Sequence, residues 1–516
     1  MAKILRGFAV LTSALLIVAC GGGSAESAAP APAAPPRGTL LQNPPTLLAS
    51  YSVSDLLTQL AASDVAKLLL PLAYTPRCAI NVYQLDYETV GGASELTSAS
   101  GALMIATGTD AACSGPRPVV LYAHGTSTDR NFNIADISNG ANAEGLILAA
   151  LFASAGYIVV APNYAGYDTS TLAYHPYLNA DQQSKDMIDA LTAARSALPT
   201  LSAVAVTDGG KLFVTGYSQG GYVAMATHRA MQAAGEVVTA SAPMSGPYAL
   251  AAFGDALFYG HVSLGAPANM TLLVSSYQHA YGNVYAEAAD VFEPSFATDI
   301  ATLLPSTTAI STLYAEGKLP PDELFSATPP APEWAAFTPP ATPAEFASIF
   351  AMGFGPHNLL LNTYRLSYLE DAVSAPDGGF PTMTTGLTAM APENTLRQDL
   401  KLNDLRGWMP NAPLLMCGGD EDPTVFFFDT QLMQSYWAVH APPGAVSVLD
   451  VAAVPSAGDP YASLQNGFAA AKALVASTAV LAGATDGGEA AVLADYHVGL
   501  VAPFCAAAAR TFFDGF

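Results

Sequence analysis

The chain has 516 residues, 51% of them hydrophobic and 12% charged, and 18 Lys and Arg stand against 42 Asp and Glu for a formal net charge of −24. So acidic a surface excludes nucleic acid as a partner and argues against polyanionic substrates. The length exceeds what one ordinary core requires and leaves room for a principal domain plus a large insertion.

Lys3 and Arg6 precede an apolar stretch, Gly7 to Val18, that is short for a membrane span and has the form of an export signal. It ends in Leu16-Ile17-Val18-Ala19-Cys20, followed by Gly21-Gly22-Gly23-Ser24. That run resembles a bacterial lipoprotein lipobox, which implies a signal peptide over 1–19, cleavage before Cys20 and lipidation of its thiol. An ordinary signal peptide cut nearby is the alternative. Gly21 in place of Asp resembles lipoproteins sorted to the outer membrane. On either reading the chain is exported, lipid-anchored to the cell envelope or released, and any membrane contact is made through the anchor. Ser24 to Arg37 is rich in Ala, Pro and Ser without periodicity, so 20–50 reads as a flexible tether.

The body follows in a regular order. Ala79 to Val90 and Thr97 to Thr107, separated by Gly91-Gly92, predict an antiparallel opening pair. Pro118 to Ala123 is a short buried strand that ends in His124-Gly125-Thr126. A helix is expected at about Glu144 to Ser154, a strand at Tyr157 to Ala161, and a helix over Asp181 to Leu198 with Asn179 as its cap. The strand Lys211 to Thr215 runs into Gly216-Tyr217-Ser218-Gln219-Gly220 and a helical run from Tyr222 to Met231, and another strand covers Val237 to Ala242. Strands alternating with helices indicate an α/β domain with a mostly parallel sheet. The rhythm breaks at Gly246 and returns at Ala412 to Cys417 and Ala445 to Val451. A segment so long cannot be a structureless loop, so 246–396 reads as an inserted, mainly helical cap on a domain made of 51–245 and 397–516.

The Gly-x-Ser-x-Gly run carries the chemistry. Glycines two before and two after Ser218 permit a sharp strand-to-helix turn that leaves the hydroxyl proud near the positive end of a helix dipole. A serine hydroxyl is a poor nucleophile until a base takes its proton and a third group orients the base. Gly418-Gly419-Asp420-Glu421-Asp422-Pro423-Thr424-Val425 directly follows a strand and offers carboxylates. Tyr496-His497-Val498-Gly499 lies near the C-terminus, before a last helix at about Phe504 to Phe513. Of the other histidines, His175 is a candidate for lining the cleft and His124 for shaping its loop.

In this order of Ser, acid and His the chain resembles the α/β-hydrolases, in particular secreted bacterial esterases related to the secretory lipases, over roughly 75–516. The resemblance implies the α/β-hydrolase fold and carboxylic-ester hydrolysis through an acyl-enzyme, on a small or polymeric ester. It implies Ser218 as nucleophile and His497 as base. The family's Gly-x-x-Asp-x-x-Val arrangement fits Asp422 as the acid, with Asp420 and Glu421 as competitors. It also implies an oxyanion hole from the backbone N–H groups of Gln219 and Thr126, although His124-Gly125-Thr126 lacks the family's longer glycine run. A peptidase or amidase of related fold and a non-catalytic binding protein on the same scaffold are the alternatives. Peptidases of this kind usually carry a propeller domain, and binding proteins usually lose a member of the triad.

With Cys20 set aside, Cys78, Cys113, Cys417 and Cys505 remain, an even number in an exported chain. Four cysteines allow three pairings. Their placement favours Cys78–Cys113, flanking the opening strands, and Cys417–Cys505, joining the strand before the acid to the helix after the histidine. No Cys or His cluster has metal-site spacing and no cofactor motif is present; Gly91-Gly92 and Gly209-Gly210 read as turns.

Overall fold

The computed structural model describes residues 35–72, 75–139, 143–202 and 204–516. The expected signal peptide, Cys20 and most of the expected tether lie outside these residues. The expected tether does not extend to residue 50. Arg37 pairs with Asp189, the amides of Gly38 and Leu41 bond the carbonyls of Glu88 and Asp86, and β1 (Thr46–Tyr51) joins the sheet. Residues 36–50 are thus part of the body, and the tether boundary at 50 is corrected accordingly.

After β1 come α1 (Val53–Ala62), β2 (Ala79–Val90) and β3 (Leu96–Thr107), the last two paired antiparallel along their whole lengths. The parallel part follows in the units β4 (Gly115–Ala123), α2 (Ala143–Leu151), β5 (Ile158–Pro162), α3 (Ala180–Ala197), β6 (Val206–Tyr217), α4 (Gln219–Ala233) and β7 (Ala240–Met244). Asn179 caps α3 by accepting from the Gln182 amide.

The segment after β7 holds α5 (Leu250–Phe258), α6 (Ala266–Tyr281), α7 (Pro294–Ala297), α8 (Ile310–Ala315), the two-residue strand β8 (Phe325–Ser326), α9 (Ala347–Met352), its partner β9 (Phe354–Gly355), α10 (Asn362–Ser374) and α11 (Thr395–Asn403). The expected boundary at 396/397 falls inside α11. Arg397 of that helix binds Asp255 on α5 and Asp371 on α10, all three buried, so the insertion extends to Asn403. Breaking such a buried pair by removing one partner costs about 3–5 kcal/mol. The chain then returns through β10 (Leu414–Gly418), α12 (Phe428–His440), β11 (Val446–Asp450), α13 (Ala462–Leu481), α14 (Glu489–Asp495) and α15 (Ala502–Phe513).

One nine-stranded sheet has the order β1-β2-β3-β5-β4-β6-β7-β10-β11; β1 to β3 and β3 to β5 are antiparallel and the remaining neighbours parallel. Both faces are covered, as a parallel sheet requires. On β4, Val119, Leu121 and Ala123 enter the core beneath α3 and α4, whereas Val120 and Tyr122 enter the one shared with α2 and α15. Ala506 to Ala509 are all buried, and their small side chains let α15 lie close against the sheet. Both disulfides form in the expected pairing, Cys78–Cys113 and Cys417–Cys505.

Candidate active site

Ser218 sits between the end of β6 and the start of α4 with φ 59° and ψ −123°, a conformation that side-chain-bearing residues rarely adopt. The flanking glycines make the turn possible. A Cβ at Gly216 would meet the Gly220 carbonyl oxygen at 2.3 Å, and one at Gly220 would meet the Ala123 carbonyl oxygen at 1.9 Å. The helix therefore passes against β4 closely enough to bring the loop after β4 beside the serine.

Ser218 Oγ lies 2.8 Å from His497 Nε2, and His497 Nδ1 lies 2.6 Å from Asp422 Oδ2. Asp422 is fully buried, and its Oδ1 accepts from the amides of Thr424 and Val425 at 2.9 and 3.0 Å. Those bonds leave Oδ2 for the imidazole. The competing carboxylates point elsewhere: Asp420 is exposed, and Glu421 is exposed and pairs with Lys472. His497 rides on a π-helical turn, Tyr496–Val501, between α14 and α15. The Tyr217 hydroxyl donates to the His497 carbonyl and lies 3.3 Å from its Nδ1.

Two amides border Ser218 without a partner among the described residues, Gln219 N–H at the first position of α4 and Thr126 N–H in the loop after β4. Several other polar groups around that loop are engaged. The His124 carbonyl accepts from Tyr164 Oη (3.0 Å), His124 Nδ1 lies 2.6 Å from the Gly125 carbonyl, and Thr126 Oγ1 lies 3.1 Å from Tyr177 Oη. The His124 ring is fully buried and shapes the loop. Burial lowers its pKa to about 4. His175 is buried behind the site and is absent from the cavity lining, which corrects its expected cleft role. It donates from Nδ1 to the Ala165 carbonyl (2.9 Å) and accepts from the Gln219 side-chain amide (2.7 Å).

Ser218 and His497 open into a cavity of about 430 Å³. Its walls are mainly apolar: Leu250, Phe253, Leu257 and Phe258 from α5, and Met270 and Leu273 from α6. Glu144 is the single carboxylate among its lining residues, and no Lys or Arg lines it. Of the aromatic residues of the insertion, Phe253 and Phe258 line the cavity. Tyr259, Trp334 and Phe337 pack on one another, Phe346 and Phe350 pack on Phe426, and Phe354 lies on Phe325. Sequence reasoning missed Glu144, Tyr217 and Tyr177; Glu144 and Tyr177 sit in an ordinary helix and loop with no motif around them, and Tyr217 fills a position that the Gly-x-Ser-x-Gly motif leaves open.

Such an arrangement can transfer a serine proton to imidazole, hold the resulting imidazolium beside a carboxylate and offer two N–H donors to a developing oxyanion.

The Prolyl oligopeptidase family profile matches residues 147–282, which include the Ser218 turn. The rice cell wall degrading esterase LipA from Xanthomonas oryzae is similar over 84% of this chain and 95% of its own, with 27% identity and a TM-score of 0.62. A Legionella pneumophila protein solved as a hydrolase candidate shares the fold at 18% identity and a TM-score of 0.58, over 92% of this chain and 97% of its own. Comparison with curated protein sequences finds no match. Fold, Ser218 turn and structural relatives together make the chain a serine hydrolase with the α/β-hydrolase fold.

Proposed function

We propose that the protein hydrolyses carboxylic esters through an acyl-enzyme on Ser218. His497 removes the Ser218 proton as Oγ attacks the ester carbonyl, and Asp422 holds the Nδ1 proton and the ring orientation. The amides of Gln219 and Thr126 bind the oxyanion. The alcohol leaves with the proton from His497 Nε2, and a water activated by the same nitrogen releases the acid.

The observation that carries the ester reading is the cavity joined to Ser218, apolar and without a cationic side chain. It suits an uncharged acyl chain and offers a peptide terminus no free charged anchor, because Glu144 is engaged by Tyr122 and Gly125. The prolyl oligopeptidase match favours a peptidase as the second reading, but it covers only residues 147–282 and leaves Asp422 and His497 outside. Export and lipidation at Cys20 belong to the same proposal, supported by the N-terminal pattern and the two disulfides.

The test pairs each p-nitrophenyl ester with the p-nitroanilide of the same acyl group, beside triglyceride and an aliphatic polyester, and labels the protein with a fluorophosphonate. Ester turnover with an adduct at Ser218 is expected. Faster anilide or peptide cleavage would replace the reading with a peptidase, and absence of any adduct would leave a binding protein.

A further inference from the structure

Glu144 is a carboxylate in the wall of the reaction cavity that the mechanism above does not use. It stands in the first turn of α2 and is partly buried. Both of its oxygens accept from the Gly125 amide, at 3.2 and 3.1 Å, and Oε1 also accepts from Tyr122 Oη at 2.6 Å. Among the described residues no Lys or Arg forms an ion pair with it.

Gly125 is the residue before Thr126 and lies between Glu144 and the nucleophile. A Cβ on Gly125 would stand 3.4 Å from Glu144 Oε2 and 3.7 Å from the Ser218 Cβ. The peptide plane that carries the Thr126 N–H begins at the Gly125 carbonyl, so its direction follows from how Gly125 is held. Glycine has no side chain to fix its own dihedral angles. The carboxylate fixes them from outside, grasping the Gly125 N–H, while His124 meets the Gly125 carbonyl.

Resting on the ester-hydrolase reading, we infer that Glu144 is a positioning residue: it clamps the Gly125 amide so that the adjacent Thr126 N–H points at the oxyanion formed on Ser218. The reaction cost of a bare negative charge beside an oxyanion is limited by the same contacts. Tyr122 and Gly125 place donors on the carboxylate and spread its charge, although burial raises its pKa above that of an ordinary glutamate. The clamp acts in the transition state, because the ester carbonyl needs the donors less than the tetrahedral oxyanion does.

The test compares Glu144→Gln, Glu144→Ala and Tyr122→Phe with the wild type on whichever ester the wild type turns over best. Loss of a single oxyanion donor typically costs about 100- to 1,000-fold. A misaimed donor should cost less, so Glu144→Ala is expected to lower kcat by about 30- to 100-fold, Glu144→Gln by about 10-fold and Tyr122→Phe by about 3-fold, with KM near the wild-type value. A trifluoromethyl ketone, which forms a hemiketal oxyanion on serine, should lose affinity in step with kcat/KM, whereas the matching methyl ketone should not. Folded variants that keep kcat, or that lose kcat while binding the trifluoromethyl ketone as the wild type does, overturn the inference. If Glu144→Ala does not fold, Tyr122→Phe decides by the same two inhibitors, because it leaves Gly125 its acceptor. A wild type that turns over no ester and takes no phosphonate would instead sink the ester-hydrolase reading itself.

Discussion

The hydroxyl of Tyr217, the residue immediately before Ser218, donates to the main-chain carbonyl of His497. One strand end thereby holds both the serine and the backbone of the imidazole that faces it. The π-helical turn under His497 breaks the regular helical bonding, so this side-chain contact helps fix where the ring sits. Tyr217→Phe removes one neutral hydrogen bond, about 1 kcal/mol. The expected result is a roughly five-fold lower kcat with KM unchanged, measured by steady-state kinetics on a short ester. An unchanged kcat would show that the ring is held without it.

The turn around Ser218 was legible because its glycines answer a steric demand of the local chain, and that demand is visible in the spacing alone. Asp422 stood out from Asp420 by a short motif, and the structure gives the reason: only Asp422 has an oxygen on His497, while local amides hold the other. Glu144 and Tyr217 could not be found that way, because their partners, Gly125 and His497, are reached through tertiary contacts. Residues 36–50 looked like linker because composition dominated the reading. Their contacts are backbone bonds to β2 and one ion pair, which leave little hydrophobic pattern. The cap boundary was missed because α11 runs as one helix across 396/397, and the Arg397 to Asp255 pair that assigns it to the insertion joins residues far apart in sequence.

Removing the serine or the imidazole should abolish turnover. Ser218→Ala and His497→Ala are each expected to lower kcat by roughly 10⁴- to 10⁶-fold, and Asp422→Asn somewhat less. Asp420→Asn should leave kcat within about two-fold of wild type, since that side chain is exposed and makes no bond to His497. An Asp420 change more damaging than the Asp422 change would reverse the assignment of the acid.

The two disulfides should separate stability from activity. Cys417 lies in the strand before Asp422 and Cys505 in the helix after His497, 88 positions apart, whereas Cys78 and Cys113 are 35 apart and absent from the cavity lining. Replacing either pair by Ala should cost about 4 kcal/mol on the loop-entropy account, slightly more for the longer loop. Only loss of Cys417–Cys505 should also lower kcat, measured well below the melting temperature. Equal kcat values for the two double variants would show that the second bridge has no part in aligning Asp422 and His497.

Buried histidines make part of the stability depend on pH. Burial lowers the His228 pKa from 6.5 to about 4, so the folded protein keeps this ring neutral while the unfolded chain protonates it below pH 6.5. Its contribution is present above pH 6.5 and is lost as pH falls through that window, on the order of 3 kcal/mol by pH 4. Asp186 runs the other way: burial raises its pKa from 3.8 to about 6, so its contribution is present at low pH and lost as pH rises from 4 through 6. Denaturant titrations at pH 7 and pH 4.5 should show His228→Asn losing less stability on acidification than the wild type, and Asp186→Asn losing more. Parallel pH profiles for all three proteins would mean that neither group titrates differently on folding.

Acyl length should be read by the face that α5 and α6 present to Ser218. Each methylene buried in an apolar cavity is worth about 0.8 kcal/mol, or roughly a four-fold gain in kcat/KM, until the cavity is full. For p-nitrophenyl esters of increasing length, kcat/KM should therefore climb and then level. Leu257 and Leu273 line the cavity and sit outside the Ser218, His497 and Asp422 contacts. Leu273→Trp should make the rise stop at a shorter chain, and Leu257→Ala should extend it, while acetate ester turnover stays within about two-fold of wild type because the shortest acyl group leaves the far wall untouched. If both variants keep the wild-type length profile, the acyl chain lies along another wall, and other apolar lining residues, Val65, Phe132 and Ile147, become the ones to change.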